Sequence, residues 1–161
     1  MRWLSSMVVP VALLAAVGAD PLAAQSSPRS HPLRWGVQVS YDFNDDNLGG
    51  GGRLEHSLAK LMGSSSFDGV FEANWFPGTV DVFDLNYNLV YRFDSRGPEP
   101  YLGGGLSWWI LSGGGSTATT LHLNALAGLK FQQMGRVTPV LQLRYVYVDG
   151  DALLVTAGLI F

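Results

Sequence analysis

From Leu33 onward, hydrophobic and polar residues alternate with period two, the spacing that sends successive side chains to opposite faces of a β-strand. In the first such run Trp35, Val37, Val39, Tyr41 and Phe43 share one face, and Arg34, Gly36, Gln38, Ser40 and Asp42 share the other. The fourth run is the clearest, with Phe83, Leu85, Tyr87, Leu89, Tyr91 and Phe93 alternating with Val82, Asp84, Asn86, Asn88, Val90 and Arg92. Six further segments, at about 49–58, 67–76, 101–110, 117–131, 137–147 and 152–161, fit the same template. Clusters of Gly, Ser, Pro and Asp separate them and supply turns. The pattern predicts eight strands and no helix, and an even strand number brings both ends of the run to the same side.

Alternation alone does not say which face is buried, so the placement of aromatic residues along each strand decides. If the chain enters from the periplasm and runs outward first, the apolar face puts Trp35, Tyr91, Phe93, Phe131 and Phe161 near the periplasmic ends. It puts Tyr41, Phe43, Trp75, Phe83, Trp108, Tyr145 and Tyr147 near the outer ends, with mainly Val, Leu and Ala between. Two aromatic girdles around an aliphatic belt match the two interfaces of a bilayer. Turning these groups inward would overfill an eight-stranded barrel, whose interior holds only side chains or one small ligand. The expectation is therefore an all-β, eight-stranded antiparallel up-and-down transmembrane β-barrel over residues 33–161, with a soluble periplasmic barrel as runner-up.

The opposite face then lines the lumen and carries Arg53, Glu55, Glu72, Asp84, Asn86, His122, Asn124, Gln142, Arg144 and Thr156. Charges taken out of water must be paired and hydrogen-bonded, and the mixture of signs permits it. A polar network that plugs the barrel is expected. Tyr101, Gly103, Gly105, Ser107 and Trp109 are placed on the inner face of the fifth strand, with the adjacent Trp108 outward; the phase of this strand is the least well determined.

The N-terminus adds a compartment. Arg2 gives a short positive start, Met7 to Val17 an apolar stretch, and Ala19 or Ala24 a small residue for cleavage, which together read as a secretory signal peptide over 1–24. Its apolar core is about half of the roughly 20 residues that a spanning helix needs. Residues 25–32 read as a flexible lead-in. The 161 residues suit one domain; a formal charge of −3 without basic clusters gives no footprint for nucleic acid, and zero cysteines remove disulfides and thiolate sites.

These features resemble the family of small outer-membrane β-barrels that includes OmpA-type and OmpX-type proteins. Glu99-Pro-Tyr-Leu-Gly-Gly-Gly-Leu-Ser resembles its recurring Pro-Tyr-x-Gly-x-Gly strand opening, and Thr138-Pro-Val-Leu-Gln-Leu-Arg-Tyr with Ala157-Gly-Leu-Ile-Phe161 resembles its last hairpin. Val155, Ala157, Leu159 and the terminal Phe161 resemble the signal read by the barrel-assembly machinery, although Leu159 replaces the usual aromatic. The resemblance implies export to the outer membrane of a Gram-negative envelope, outer-membrane lipids as surroundings, and the assembly machinery as partner during biogenesis. An envelope protein partner stays open.

Candidate chemistry is sparse. The glycine runs 49–52, 103–105 and 113–115 lack the Lys-Ser/Thr and helix of a phosphate loop and read as turns and bends. His31 falls in the lead-in, and His56 and Ser57, as strand neighbours, point apart and cannot form a base–nucleophile pair. His122-Leu-Asn124-Ala resembles the His-x-Ser-Asn-Ala arrangement of lipid A deacylase barrels, but Asn124 stands where the nucleophile belongs, and a hydrogen-bonded His122–Asn124 pair in the lumen is expected instead. Glu55, Glu72 and Asp84 are read as neutralising Arg53 and Arg144 rather than as an acid–base set. No cofactor, metal site or enzymatic activity is predicted. The outer connections, near 44–50, 77–80, 111–117 and 148–151, are short. A structural or partner-binding barrel with a plugged lumen is favoured over a narrow channel and over a lipid-modifying enzyme.

Overall fold

The computed structural model describes residues 33–147 and 151–161, so the expected signal peptide and lead-in lie outside the described residues, as does most of the 148–151 connection. Eight strands follow in order: β1 Arg34–Asp42, β2 Asn47–Ser57, β3 Phe67–Phe76, β4 Asp81–Arg92, β5 Glu99–Gly113, β6 Ser116–Lys130, β7 Thr138–Tyr147 and β8 Ala152–Ile160. Each pairs antiparallel with the next, and β1 pairs with β8 from Gly36↔Ile160 to Asp42↔Leu154, which closes the barrel and removes every sheet edge along that seam. Leu33 and Phe161 therefore leave from the same end, where the Phe161 amide donates to the Trp35 carbonyl at 2.8 Å.

The register is staggered around the wall. Val37 faces Gly52, Gly52 faces Ala73, Ala73 faces Leu85, Leu85 faces Trp108, and Trp108 faces Leu121. Leu121 nonetheless lies beyond the last β6–β7 pair, Leu123↔Tyr147. Strands that tilt in a closed barrel must accumulate such an offset, and here it lifts the β5–β6 hairpin above the β7–β8 rim.

Three expectations need correction. The connection expected over 111–117 is almost all strand, because Gly114 and Gly115 adopt φ of 59° and 80° and close a two-residue turn of the kind that matches strand twist. The glycine runs at 49–52 and 103–105 lie inside strands, paired on each side, which agrees with the expected strand segments 49–58 and 101–110 and replaces the reading of these runs as turns. There is also one helical turn, α1 Ala59–Met62, ended by Gly63 at φ 68° with its amide donating to the Ala59 carbonyl at 3.0 Å. Four residues are too short to show a helical period, so the sequence pattern passed over it.

The two faces are distributed inside out relative to a water-soluble domain. Trp35, Val37, Val39, Leu54, Phe71, Leu106, Leu123 and Leu143 are exposed on the outer wall, Trp35 by 55%, whereas Arg53, Glu55, Glu72, Asp84 and Arg144 are buried inside. Burial of unpaired charges is costly, and a contiguous apolar exterior of this extent is foreign to soluble monomers. The soluble runner-up requires the opposite arrangement. The interior is not uniformly polar, however. Val70, Val90, Tyr101, Leu126, Val140 and Ile160 pack as one apolar cluster, and Phe76, Val146, Ala152 and Leu154, with Val82 and Trp109 against them, form a second toward the hairpin tips.

Candidate functional site

The lumen site starts from Arg53 on β2. Its Nε donates to Glu55 Oε1 at 2.8 Å, and its Nη1 donates to Glu72 Oε1 at 3.0 Å and to Gln142 Oε1 at 2.9 Å. Glu72 on β3 also accepts from Gln142 Nε2 at 3.2 Å and from Asn88 Nδ2 at 3.1 Å. Its Oε2 lies 3.6 Å from Arg144 Nη1, and Arg144 in turn is ion-paired through Nη2 to Asp84. In the other direction Glu55 accepts from Lys130 Nζ at 2.9 Å, which approaches Asp68 at 3.5 Å. Asp68 pairs with Arg92 at 2.8 Å. A single chain of alternating charge thus crosses the lumen from Arg92 to Asp84, drawn from strands β2, β3, β4, β6 and β7. Charge-assisted bonds of this kind are about twice as strong as neutral ones, and their alternation keeps any one buried charge from standing alone.

Local sequence makes room for it. Gly128 on β6 faces the Tyr101 ring so closely that a Cβ there would lie 2.3 Å from the ring carbon that bears the hydroxyl. The ring can therefore pass over this position, and its hydroxyl donates to Gln142 Oε1 at 3.0 Å while its centroid lies 5.7 Å from both the Arg53 guanidinium and the Lys130 ammonium. That distance suits a cation–π contact with each of the two cations.

The structure brings Arg53, Glu55, Glu72, Asp84, Gln142 and Arg144 into this one network. Asn124 joins a separate cluster, donating to Ser107 Oγ at 3.1 Å, while Ser107 hydrogen-bonds Asn86. His122 does not pair with Asn124. Its Nε2 lies 2.7 Å from Thr120 Oγ1 and its ring meets Trp109 edge-on at 5.2 Å, so the imidazole is directed toward the hairpin tip and away from Asn124. Sequence reasoning passed over Lys130, Asp68, Arg92 and Asn88 as members of the network. Lys130 and Asp68 were legible in principle, since each shares strand parity with a residue assigned to the lumen, Asn124 and Glu72 respectively. Gln38–Asn74 at 2.7 Å and Ser40–Thr156 at 2.8 Å complete the buried polar contacts on the β1 side.

The aromatic residues expected in the two girdles lie where strand parity puts them, on the outer wall. Trp35 stacks on Phe161 at 4.5 Å, and Tyr91 meets Phe93 at 4.9 Å, at the Leu33/Phe161 end with Phe131. At the opposite end Tyr41 meets Phe43, Trp75 stacks on Phe83 at 6.3 Å, and Tyr145 meets Tyr147 at 4.8 Å. Trp108, also outward, faces Leu85 and Leu121 across the sheet, which resolves the phase of β5 with Trp109 inside. Val155, Ala157 and Leu159 share the outer face with Phe161. His56 also points outward and meets the Tyr87 hydroxyl at 3.1 Å, while Ser57 Oγ accepts from the Ala59 amide at 3.2 Å, so the two neighbours have unrelated partners. Among the described residues no group of three His, Asp or Glu side chains is arranged to hold a metal ion.

No protein-family model matches the chain, and no curated protein matches it in sequence. Solved structures do. The N-terminal β-barrel domain of Pseudomonas aeruginosa OprF superposes with a TM-score of 0.64 at 16% identity over 80% of this chain and 95% of that one. Neisserial surface protein A superposes with a TM-score of 0.61 at 16% identity over 80% and 94%. The outer-membrane enzyme PagL superposes with a TM-score of 0.54 at 12% identity over 80% and 98%. At these identities the likeness is one of fold, and it shows that this chain adopts the closed eight-stranded up-and-down architecture of the small outer-membrane β-barrels.

Proposed function

We propose that this chain is an integral protein of a bacterial outer membrane, exported behind a cleaved signal peptide, whose plugged lumen suits it to a structural or partner-interaction role in the envelope. The observation that carries the reading is the inverted surface: an apolar outer wall bounded by two aromatic girdles, around a core in which Arg53, Glu72, Arg144 and Asp84 are paired and buried. In this reading the end that carries Leu33 and Phe161 faces the periplasm and the hairpin tips face outward. Outer-membrane lipids contact the wall, and Val155, Ala157, Leu159 and Phe161 serve as the insertion signal for the barrel-assembly machinery. Short outer connections leave little surface for an adhesive role, and the apolar cluster of Phe76, Val146 and Leu154 toward the hairpin tips supports a plugged lumen. His122 and His56 meet the Thr120 and Tyr87 hydroxyls and not a serine, and Asn124 stands where the deacylase arrangement has its serine, so lipid-modifying chemistry is the less favoured alternative.

Fractionation tests the location: the protein is expected in the outer membrane, resistant to carbonate extraction and heat-modifiable on gels, and recovery from the soluble periplasm would overturn the reading. Planar-bilayer recording tests the plug. Sustained conductance steps that vanish on Arg144→Ala or Glu72→Ala would favour the narrow-channel alternative. Mass spectrometry of lipid A with and without expression tests the enzymatic one, for which an altered acyl pattern abolished by His122→Ala would be decisive.

A further inference from the structure

The mouth of the barrel at the Leu33/Phe161 end opens into a cavity of about 220 Å³ whose walls carry both signs of charge. Arg34 lines it from β1, and the one side-chain hydrogen bond of its guanidinium runs from Nη2 to Thr138 Oγ1 at 2.7 Å, with no carboxylate in ion-pair range among the described residues. Glu99 lines it from β5; its side chain is 32% exposed and is held only by Arg92 at 3.5 Å. Asp68, deeper and buried, gives Oδ2 to Arg92 and Lys130 while its Oδ1 accepts no hydrogen bond. Lys130 and Glu55 at the floor are occupied with each other.

In a closed barrel of eight strands β1 and β5 stand on opposite walls. The cavity therefore offers spare positive charge on one side, spare negative charge on the other, and paired charges between. A phosphate or other simple anion would meet the Glu99, Asp68 and Glu55 carboxylates as well as Arg34, and a simple cation would meet Arg34, Arg92 and Lys130. Only a ligand with separated charges of both signs suits both walls. An extended di- or tripeptide places its ends about 7–10 Å apart, and the interior of an eight-stranded barrel holds one small ligand.

We propose that this mouth binds a short zwitterionic peptide, with its carboxylate on Arg34 and its ammonium on Glu99 and Asp68. The inference gives a chemistry to the partner of the structural reading above and rests on its orientation of the barrel. The test uses the processed, isotopically labelled chain folded in detergent micelles and titrated with tri-alanine. Saturable NMR shifts are expected at Arg34, Gly97, Glu99 and Gln133, and blocking either end of the peptide, by N-acetylation or C-amidation, is expected to weaken binding at least tenfold. Arg34→Gln should erase the difference between free and amidated peptide, and Glu99→Gln the difference between free and acetylated peptide. Inorganic phosphate should not compete. Absence of saturable shifts, equal binding of blocked and free peptide, or competition by phosphate would each overturn the proposal. Heat-modifiable migration reports whether a variant folds, and the blocked-peptide comparison on the unmodified chain decides the matter if one does not. Conductance on the same sample reads the plug separately, and fractionation reads the location: binding to a conducting barrel would remove only the plug, and a closed barrel without binding would remove only this inference.

Discussion

Replacing Arg144 by Met is the sharpest probe of the lumen. Arg144 is 1% exposed and ion-paired to Asp84, which is fully buried and whose other oxygen accepts no hydrogen bond. Met keeps most of the side-chain length, so little cavity forms and the cost falls on electrostatics. Glu72 retains Arg53, Gln142 and Asn88 as partners. Asp84 retains none, and stranding one member of a buried pair costs about 3–5 kcal/mol. With a urea dependence of about 2 kcal/mol per molar, that is a fall of about 2 M in the unfolding midpoint. Removing the partner as well, in Arg144→Met with Asp84→Leu, should recover most of the loss, since apolar replacement of a whole buried pair is often neutral or stabilising. The assay is urea unfolding of the barrel in lipid vesicles, followed by tryptophan fluorescence. A single variant that loses less than about 1 kcal/mol, or a double variant that loses as much as the single, would refute the view that paired burial holds Asp84 in place.

Other predictions probe the wall, the ring platform, the seam and the turn. Val39→Arg, on the outer wall, should cost about 2–4 kcal/mol in a bilayer, measured by the same unfolding assay, whereas a water-facing valine would tolerate it. Gly128→Ala should displace the Tyr101 ring and break its bond to Gln142, at a cost of about 1–3 kcal/mol, with a matching change in tyrosine absorbance. Phe161→Ala removes the stack on Trp35 and should cost about 0.5–1.5 kcal/mol; a larger fall in the heat-modifiable fraction in cells than in refolding in vitro would reflect its role in insertion. Gly115→Val forces a branched side chain to φ 80° and should raise amide exchange in the β5–β6 tip by tenfold or more, without changing exchange in β1 and β8.

The strands, their parity and the outward face were legible in the sequence, because a wall with lipid on one side and a polar interior on the other imposes strict alternation, and a one-residue slip would expose every charge. Arg53, Glu72 and Arg144 were readable as lumen residues for the same reason. That Glu55, Glu72 and Asp84 neutralise Arg53 and Arg144 was readable as well, but which carboxylate meets which arginine was not. Glu72 and Arg144 stand on β3 and β7, and that they approach across the lumen follows from closure of the barrel and the stagger of its register, neither of which is encoded locally. The same closure put Lys130 beside Glu55 and gathered Val70, Val90 and Ile160 into an apolar cluster. The glycines inside β2 and β5 fitted both a strand and a turn, because a lone chain shows only their flexibility; which it is depends on the neighbouring backbone and side chains that occupy the space a Cβ would need. Parity is a property of one strand, and so sequence determined it; pairing across the interior is a property of the closed wall, and only the tertiary structure decided it.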